Sequence, residues 1–298
     1  MIRETMKQVS ITTFARAQSR ARLTRLLKEL RRAGKHPEDP ETIHDLRVSI
    51  RRFTQGLRTF RSVFDPGPLK KLQRRLRKLM DAGGSVRTCD VALDVLRQAG
   101  VENGLSTSRI AAARTEAEET LRDRLKKQRR RKASDWELKL DIVVKPDVAQ
   151  PDVDQPGCEW DLQQDMPDNL RRVLPKMAED FFAAGSAAAA AGDDHEILHR
   201  FRLRTKHFRY TLELFPTFYH NQLPQGLKAL QGLQDRLGEI NDCVCTMALI
   251  GKDRRAMAAV RKLLRQREAE FRAYWKKAFP RTKLAWWRKW LGAPRFPA

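Results

Sequence analysis

Tyrosine occurs three times in 298 residues and runs of β-branched residues are short, so the material from which sheets are usually built is scarce and helices are favoured. The expected fold class is all-α. Cysteine is confined to Cys89, Cys158, Cys243 and Cys245, with no CxxC pair and no histidine at ligand spacing. A disulfide framework and a structural metal site are therefore not expected, and reduced thiols are. No window approaches 18 uninterrupted apolar residues, which excludes a transmembrane segment as an expectation. The opening Met1 to Lys7 lacks the apolar centre of an export signal, and a soluble cytoplasmic protein is predicted. The alanine-rich stretch from Ala183 to Ala191 is too short and too weakly hydrophobic to span a bilayer, and reads as a close-packing helix face.

Catalytic signatures are missing as well. There is no GxxxxGK[ST] phosphate loop, no row of alternating acids and bases, and no nucleophile paired with a base. Gly83-Gly84 reads as a helix stop and Asp193-Asp194-His195 as an acidic helix start. No catalytic residue, cofactor or metal is expected.

What the chain has in abundance is positive charge: 60 Lys+Arg against 37 Asp+Glu, a formal +23 at pH 7. Such a field concentrates anions. The charge is also patterned, because His44, Arg47 and Arg51 recur 155 residues later as His199, Arg202 and Lys206, both in the form HxxRxxx[RK]. Leu57 and Phe60 recur at the same offset as Leu212 and Phe215, and glycine-led segments follow each copy, Gly84 to Val91 and Gly238 to Val244. A preserved interval of about 40 residues predicts a duplicated unit.

Apolar periodicity predicts helices over Ile11 to Arg32, Thr42 to about Phe64, Leu69 to Met80 with a stop at Gly83-Gly84, Val86 to Gln98, and Ser108 to about Lys132. The matching five are Pro167 to Ala191, His195 to Phe215, Leu223 to Leu237, Glu239 to Ile250 and Asp253 to Ala278. Thr42 and Asp45 fit a capping box that places His44 in a first turn. These elements divide the chain into a helical half at 5–135, an acidic Pro-containing linker at 136–165, a second half at 166–280, and a basic Trp-rich tail at 281–298.

On the second helix His44, Arg47, Arg51 and Arg58 form one cationic stripe, flanked by the apolar Ile43, Leu46, Ile50, Phe53, Leu57 and Phe60. Lys71, Arg74, Arg75 and Lys78 add charge between the leucines of the third helix. Guanidinium groups grip phosphate bidentately and keep their charge at physiological pH. A polyanion is the expected partner. Nucleic acid is the rival, because neutralising many phosphates releases counterions whatever the sequence, and Trp286, Trp287 and Trp290 would supply stacking surfaces or a membrane-surface anchor. The same tryptophans would equally dock on the bundle.

His44-Asp-Leu-Arg47-Val48-Ser-Ile-Arg51-Arg52 and Gly84-Ser-Val-Arg87-Thr88-Cys-Asp90-Val91 resemble the two motifs of the CHAD domain, an α-helical family named for its histidines, and the resemblance spans about residues 5 to 280. It implies two four-helix-bundle-like halves related by a pseudo-two-fold axis, around a basic central groove that binds inorganic polyphosphate. Under it His44, Arg47, Arg51, Arg52, His199, Arg202 and Lys206 become phosphate contacts, joined by Arg58, Lys71, Arg74, Arg75, Lys78 and Arg209. Arg87, Asp90 and Asp242 become structural ion-pair partners that orient the stripe. Thr88 stands where the family motif has its first Asp, Asn241 where it has Arg, and Glu213 opposite Arg58. The two sites are expected to be unequal. Targeting to polyphosphate granules, or a scaffold role on granule or membrane surfaces, is compatible with such binding.

Overall fold

The computed structural model describes residues 10–129, 160–192, 194–219 and 222–294. Its regular elements are α1 (Ile11–Lys35), α2 (Pro40–Thr59), α3 (Pro66–Gln98), α4 (Leu105–Arg129), α5 (Met166–Ala190), α6 (His195–Leu212), α7 (Leu223–Ile250), α8 (Arg254–Ala278) and α9 (Thr282–Leu291), with short 3-10 turns at Arg61–Val63 and Pro216–Phe218. The fold is all-α. The scarce acids serve as helix starts: Asp39, Asp65, Asp165, Asp194 and Asp253 each accept a backbone N–H in the first turn of α2, α3, α5, α6 and α8. That placement satisfies orphan donors and sets a negative charge on the positive end of each helix.

Contacts close α1–α2–α3–α4 into one four-helix ring and α5–α6–α7–α8 into a second, with α9 laid on α5. Between the rings α2 meets α6 and α3 meets α7, each helix facing its own counterpart, while α3 with α8 and α4 with α7 are exchanged contacts. Self-facing and exchanged contacts together are the signature of a two-fold relation. The bridge between Ser10 and Asp165 joins two further counterparts, the caps of α1 and α5.

Several boundaries differ from the sequence reading. Asp39 and Pro40, an acceptor followed by a residue pre-set for helix, start α2 before Thr42; Thr42 is buried inside the helix and donates to the Asp39 carboxylate. His44 therefore lies in the second turn. Gly83-Gly84 does not stop a helix: α3 runs unbroken through both, and α7 likewise runs through Gly238. The expected five helices per half become four long ones among the described residues. α2 and α6 end early, at Thr59 and Leu212, because the chain turns at Phe60 and Phe215 with nearly the same backbone angles (φ −105° and ψ 33°; φ −118° and ψ 39°) to bury both rings.

The segment expected to be a tail contains α9, whose Leu291 carbonyl accepts from the Tyr219 hydroxyl at 2.7 Å. Most of the expected linker, 136–159, lies outside the described residues, as do 5–9 and 130–135 of the first half. At the linker's described end Trp160 is buried between Phe60 and Phe215, at centroid distances of 5.7 and 5.6 Å. Gly185 accounts for the packing of the alanine-rich helix. A Cβ there would stand 2.0 Å from the Trp275 ring, so the indole lies directly on the α5 backbone.

Candidate functional site at the seam between the halves

Matched residues of the repeat meet across the α2–α6 seam. Phe60 and Phe215 pack edge to face at 6.1 Å, with Phe14 stacked on Phe215 at 5.5 Å. This aromatic cluster seals the C-terminal ends of α2 and α6. Over the C-terminal halves of the two helices the exchanged contacts carry charge: Arg52 ion-pairs with Glu213, the C-cap of α6, at 3.2 Å, and in the reciprocal position Arg58, in the last turn of α2, acts on His207. His207 stands at Arg52's place in the repeat and Glu213 at Arg58's. Each departure thus removes one of two facing arginines. Burial, with Arg58 and Arg204 nearby, lowers the His207 pKa to about 4, and its Nδ1 hydrogen-bonds with the Gln55 side chain. Neutral at ordinary pH, His207 is compatible with the Arg58 charge.

Toward the helix starts the compensation is partial, with Asp81 acting on Arg47 and Asp242 on Arg202 and Lys206. Arg51 of α2 and Arg87 of α3 act on Arg47 of α2, Arg51 acts on Arg202 of α6, and Arg202, Arg51 and Arg47 act on Lys206 of α6, while Asp242 of α7 is the carboxylate that reaches Arg202 and Lys206. Burial first, then Arg202 and Arg51, lowers the Lys206 pKa to about 7. Burial, Arg51 and Arg87 lower that of Arg47 to about 10, which leaves it charged at neutral pH. Burial raises the pKa of Asp242 despite Arg202 and Arg87. Arg51 and Arg202 each hold a buried Nε without a hydrogen-bond partner. Half-buried cations that outnumber their counter-charge are costly to fold around. An anion would supply the missing charge.

The glycine pair gives Arg47 its place. The Arg47 side chain crosses from α2 to α3, where Nη1 donates to the Met80 carbonyl at 2.8 Å. A Cβ on Gly83 would stand 3.5 Å from Cδ of Arg47, and one on Gly84 would stand 3.1 Å from Nη1. The two glycines cut a slot for a guanidinium group inside a continuous helix. The second half is built differently: Gly238 faces nothing within 4 Å, and Arg202 has the Asp242 carboxylate instead of a carbonyl slot. His199 hydrogen-bonds through Nδ1 to Asn241 Oδ1 at 3.1 Å; its counterpart His44, lowered by burial, feels Arg87, the counterpart of Asn241. The two histidines and Arg87 are exposed and rim the cluster.

Other residues expected at the site are placed elsewhere or already engaged. Arg209 is buried, bonded to Gln231 and to Gln234 (3.0 Å), ion-paired with Glu213 at 3.2 Å and set over Tyr210, so its guanidinium is a structural tie. Arg52 is held by Glu213, and Arg58 lies beside His207. Lys71, Arg74 and Lys78 share a stripe on α3 that is about 160° around the helix from the Met80–Gly84 face on which Arg47 lies; Arg75 flanks that stripe. The structure does not bring these four into the seam. Asp90 pairs with Arg114 of α4 at 2.6 Å and not with the stripe, whereas Arg87 acts on the carboxylates of Asp242 and Asp94 and also stands among the cations around Arg47. Trp287 is buried against Phe208 and Trp290 lies on Tyr219, leaving Trp286, 42% exposed, as the open indole of α9.

The molecule is thus a duplicated helical protein with an under-neutralised cationic seam on its pseudo-two-fold axis. A model of the CHAD domain family matches residues 15–251, and the chain belongs to that family. Two solved structures share the fold. One is the crystal structure of the CHAD domain from the plant Ricinus communis, at 22% identity and TM-score 0.57 over 97% of this chain and 94% of that one. The other is PptA from Streptomyces chartreusis, at 19% identity and TM-score 0.57 over 92% of this chain and 99% of that one. No curated protein sequence matches.

Proposed function

We propose that this protein binds inorganic polyphosphate along the α2–α6 seam without altering it. The observation that carries the proposal is the set Arg47, Arg51, Arg87, Arg202 and Lys206 gathered at the seam, with the Asp242 carboxylate beside Arg87, Arg202 and Lys206 and that of Asp81 beside Arg47. A linear polymer with charge on every phosphate can touch both halves at once, so its contacts act as linked sites and orthophosphate competes poorly. The family membership agrees with this reading. Binding without catalysis is part of the proposal; it is supported by a cluster made of cations, in place of the paired carboxylates that hold catalytic metals. Among the described residues no three His, Cys, Asp or Glu side chains converge on one point.

Nucleic acid is the less favoured partner. Among the described residues the seam presents guanidinium and ammonium groups without an exposed aromatic platform beside them, and the aromatic cluster at its far end is buried. Base stacking would need exposed rings. No described helix is long and apolar enough to cross a membrane; a cytoplasmic place, on polyphosphate granules, follows from the proposed ligand. The test is incubation of labelled long-chain polyphosphate with excess protein and Mg²⁺ or Mn²⁺, followed by gel electrophoresis. Retarded polymer of unchanged length is expected. Time-dependent shortening, or no retardation, contradicts the proposal.

A further inference from the structure

A cavity of about 360 Å³ lies where α1, α2 and the C-cap of α6 meet, lined by Ala21, Arg22 and Arg25 of α1, Ser49 and Arg52 of α2, and Glu213. It is on the α1 side of α2, whereas Arg47 reaches to α3. At about 100° of turn per residue, Arg52 and Ser49 stand about 140° and 160° around the helix from Arg47. The cavity is therefore separate from the seam cations, and its size suits a small ligand.

Arg22 is built into the wall. It donates to the Gln18 side chain and, through Nη2, to the Glu213 carbonyl at 3.2 Å; Gly56 makes room for its stem, since a Cβ there would stand 3.3 Å from Cδ of Arg22. The Glu213 carboxylate is covered from beyond the cavity by Arg209, 3.2 Å from Oε1. Arg52 Nε lies 3.2 Å from Oε2 without the alignment of a hydrogen bond. Arg25, Arg52 and the hydroxyl of the buried Ser49 donate no hydrogen bond among the described residues. Three arginines less one glutamate leave +2 on the lining, the counter-charge of one phosphate dianion. At the repeat offset of 155, which also relates the caps Ser10 and Asp165, Met177 stands for Arg22, Asp180 for Arg25 and Arg204 for Ser49. Arg204 there crosses from α6 to α5 and donates to the Asp180 carbonyl at 3.2 Å. The set Arg22, Arg25, Ser49 and Arg52 is thus particular to the first half and is not imposed by the duplication.

We propose that this cavity binds a small phosphate dianion, either orthophosphate or the head of a small phosphate monoester, between Arg25 and Arg52 with the Ser49 hydroxyl as a further donor. A guanidinium fork grips two phosphate oxygens at once, and the ligand satisfies donors that the fold leaves open. Ala21 and the arginine stems offer apolar surface on which the carbon body of an ester lies. The site stands apart from the polyphosphate reading, and either can fail without the other.

Isothermal titration calorimetry of the full chain at pH 8 in a chloride buffer tests this, with inorganic phosphate in one arm and glycerol 3-phosphate in the other. Saturable binding of at least one is expected, weakened roughly tenfold or more by Arg25→Gln and less than about twofold by Arg51→Gln in the seam. Arg25 is exposed, so its replacement leaves the core untouched, which a melting curve checks. Tighter binding of the ester assigns the cavity to phosphorylated small molecules, and tighter binding of inorganic phosphate assigns it to the free ion; both uphold the site. Binding lost in Arg51→Gln but kept in Arg25→Gln would move the phosphate to the seam and overturn the proposal. Equal weakening by the two variants, which marks a diffuse cationic field, or no saturable heat with either ligand, would overturn it as well.

Discussion

At Lys206 burial and the surrounding arginines act in one direction, and the consequence is a pH dependence with a defined sign. Below about pH 7 the folded and unfolded chains both hold the proton, and the full cost of burying the charge opposes folding. Between about 7 and the ordinary 10.5 the unfolded chain binds a proton that the folded chain does not, so stability contributed by this group rises with pH across that window. A bound polyanion favours the charged amine. Titration calorimetry at pH 8 in buffers of different ionisation heat should therefore show proton uptake on polyphosphate binding, and Lys206→Met should remove it; buffer-independent heats in the wild type would contradict the assignment. Replacing Arg47, Arg51, Arg202 and Lys206 by Ala should weaken binding by about 1.5 to 3 kcal/mol for each charged group removed, while the melting temperature holds or rises as repulsion is relieved. Wild-type affinity in that variant would sink the site. These four residues were legible in the sequence because a repeated spacing marks them. Arg209 and Arg52 were not separable from them by spacing, since what removes them from the set is Glu213 and two glutamines that arrive from other turns and another helix.

Helix periodicity located every described long element, but composition misplaced the breaks. Glycine usually weakens a helix by about 1 kcal/mol relative to alanine, and Gly83-Gly84 therefore reads as a stop. In the structure that cost is offset by the slot it opens for Arg47, an interaction made by a residue 36 positions earlier and invisible to any local window. Two substitutions separate slot from packing. Gly84→Leu should leave the helix intact, displace the Arg47 guanidinium and weaken polyphosphate binding. Gly185→Ala should instead drive a methyl group into the Trp275 ring, lowering stability by about 1 to 3 kcal/mol without a direct effect on the seam. Denaturant melts with parallel binding titrations check both, and the reverse pattern would contradict the packing described. Leu57 and Leu212 are fully buried in the two halves, and each replacement by Ala should cost roughly 2 to 5 kcal/mol in the same melts.

At the scale of the whole molecule the duplication does two different things along one axis. At the Phe60–Phe215 end it brings equal apolar residues together, which stabilises the join. At the Arg51–Lys206 end it brings equal charges together, which does not, and that opposition between repeat symmetry and electrostatics marks where a ligand belongs. The duplication was visible in the residue spacing; the facing of counterparts was not, because spacing carries no information on which helices pack. The central claim is that a phosphate polymer supplies the missing charge. Its most direct test is the affinity for long-chain polyphosphate measured across a several-fold range of salt, beside single-stranded nucleic acid and with orthophosphate as competitor. The expected result is a steep linear fall of log affinity with log salt, its slope lessened in the Arg51→Ala variant, with polyphosphate bound more tightly than nucleic acid at equal salt and orthophosphate a poor competitor. A salt-independent affinity, or orthophosphate competing as well as the polymer, would contradict it.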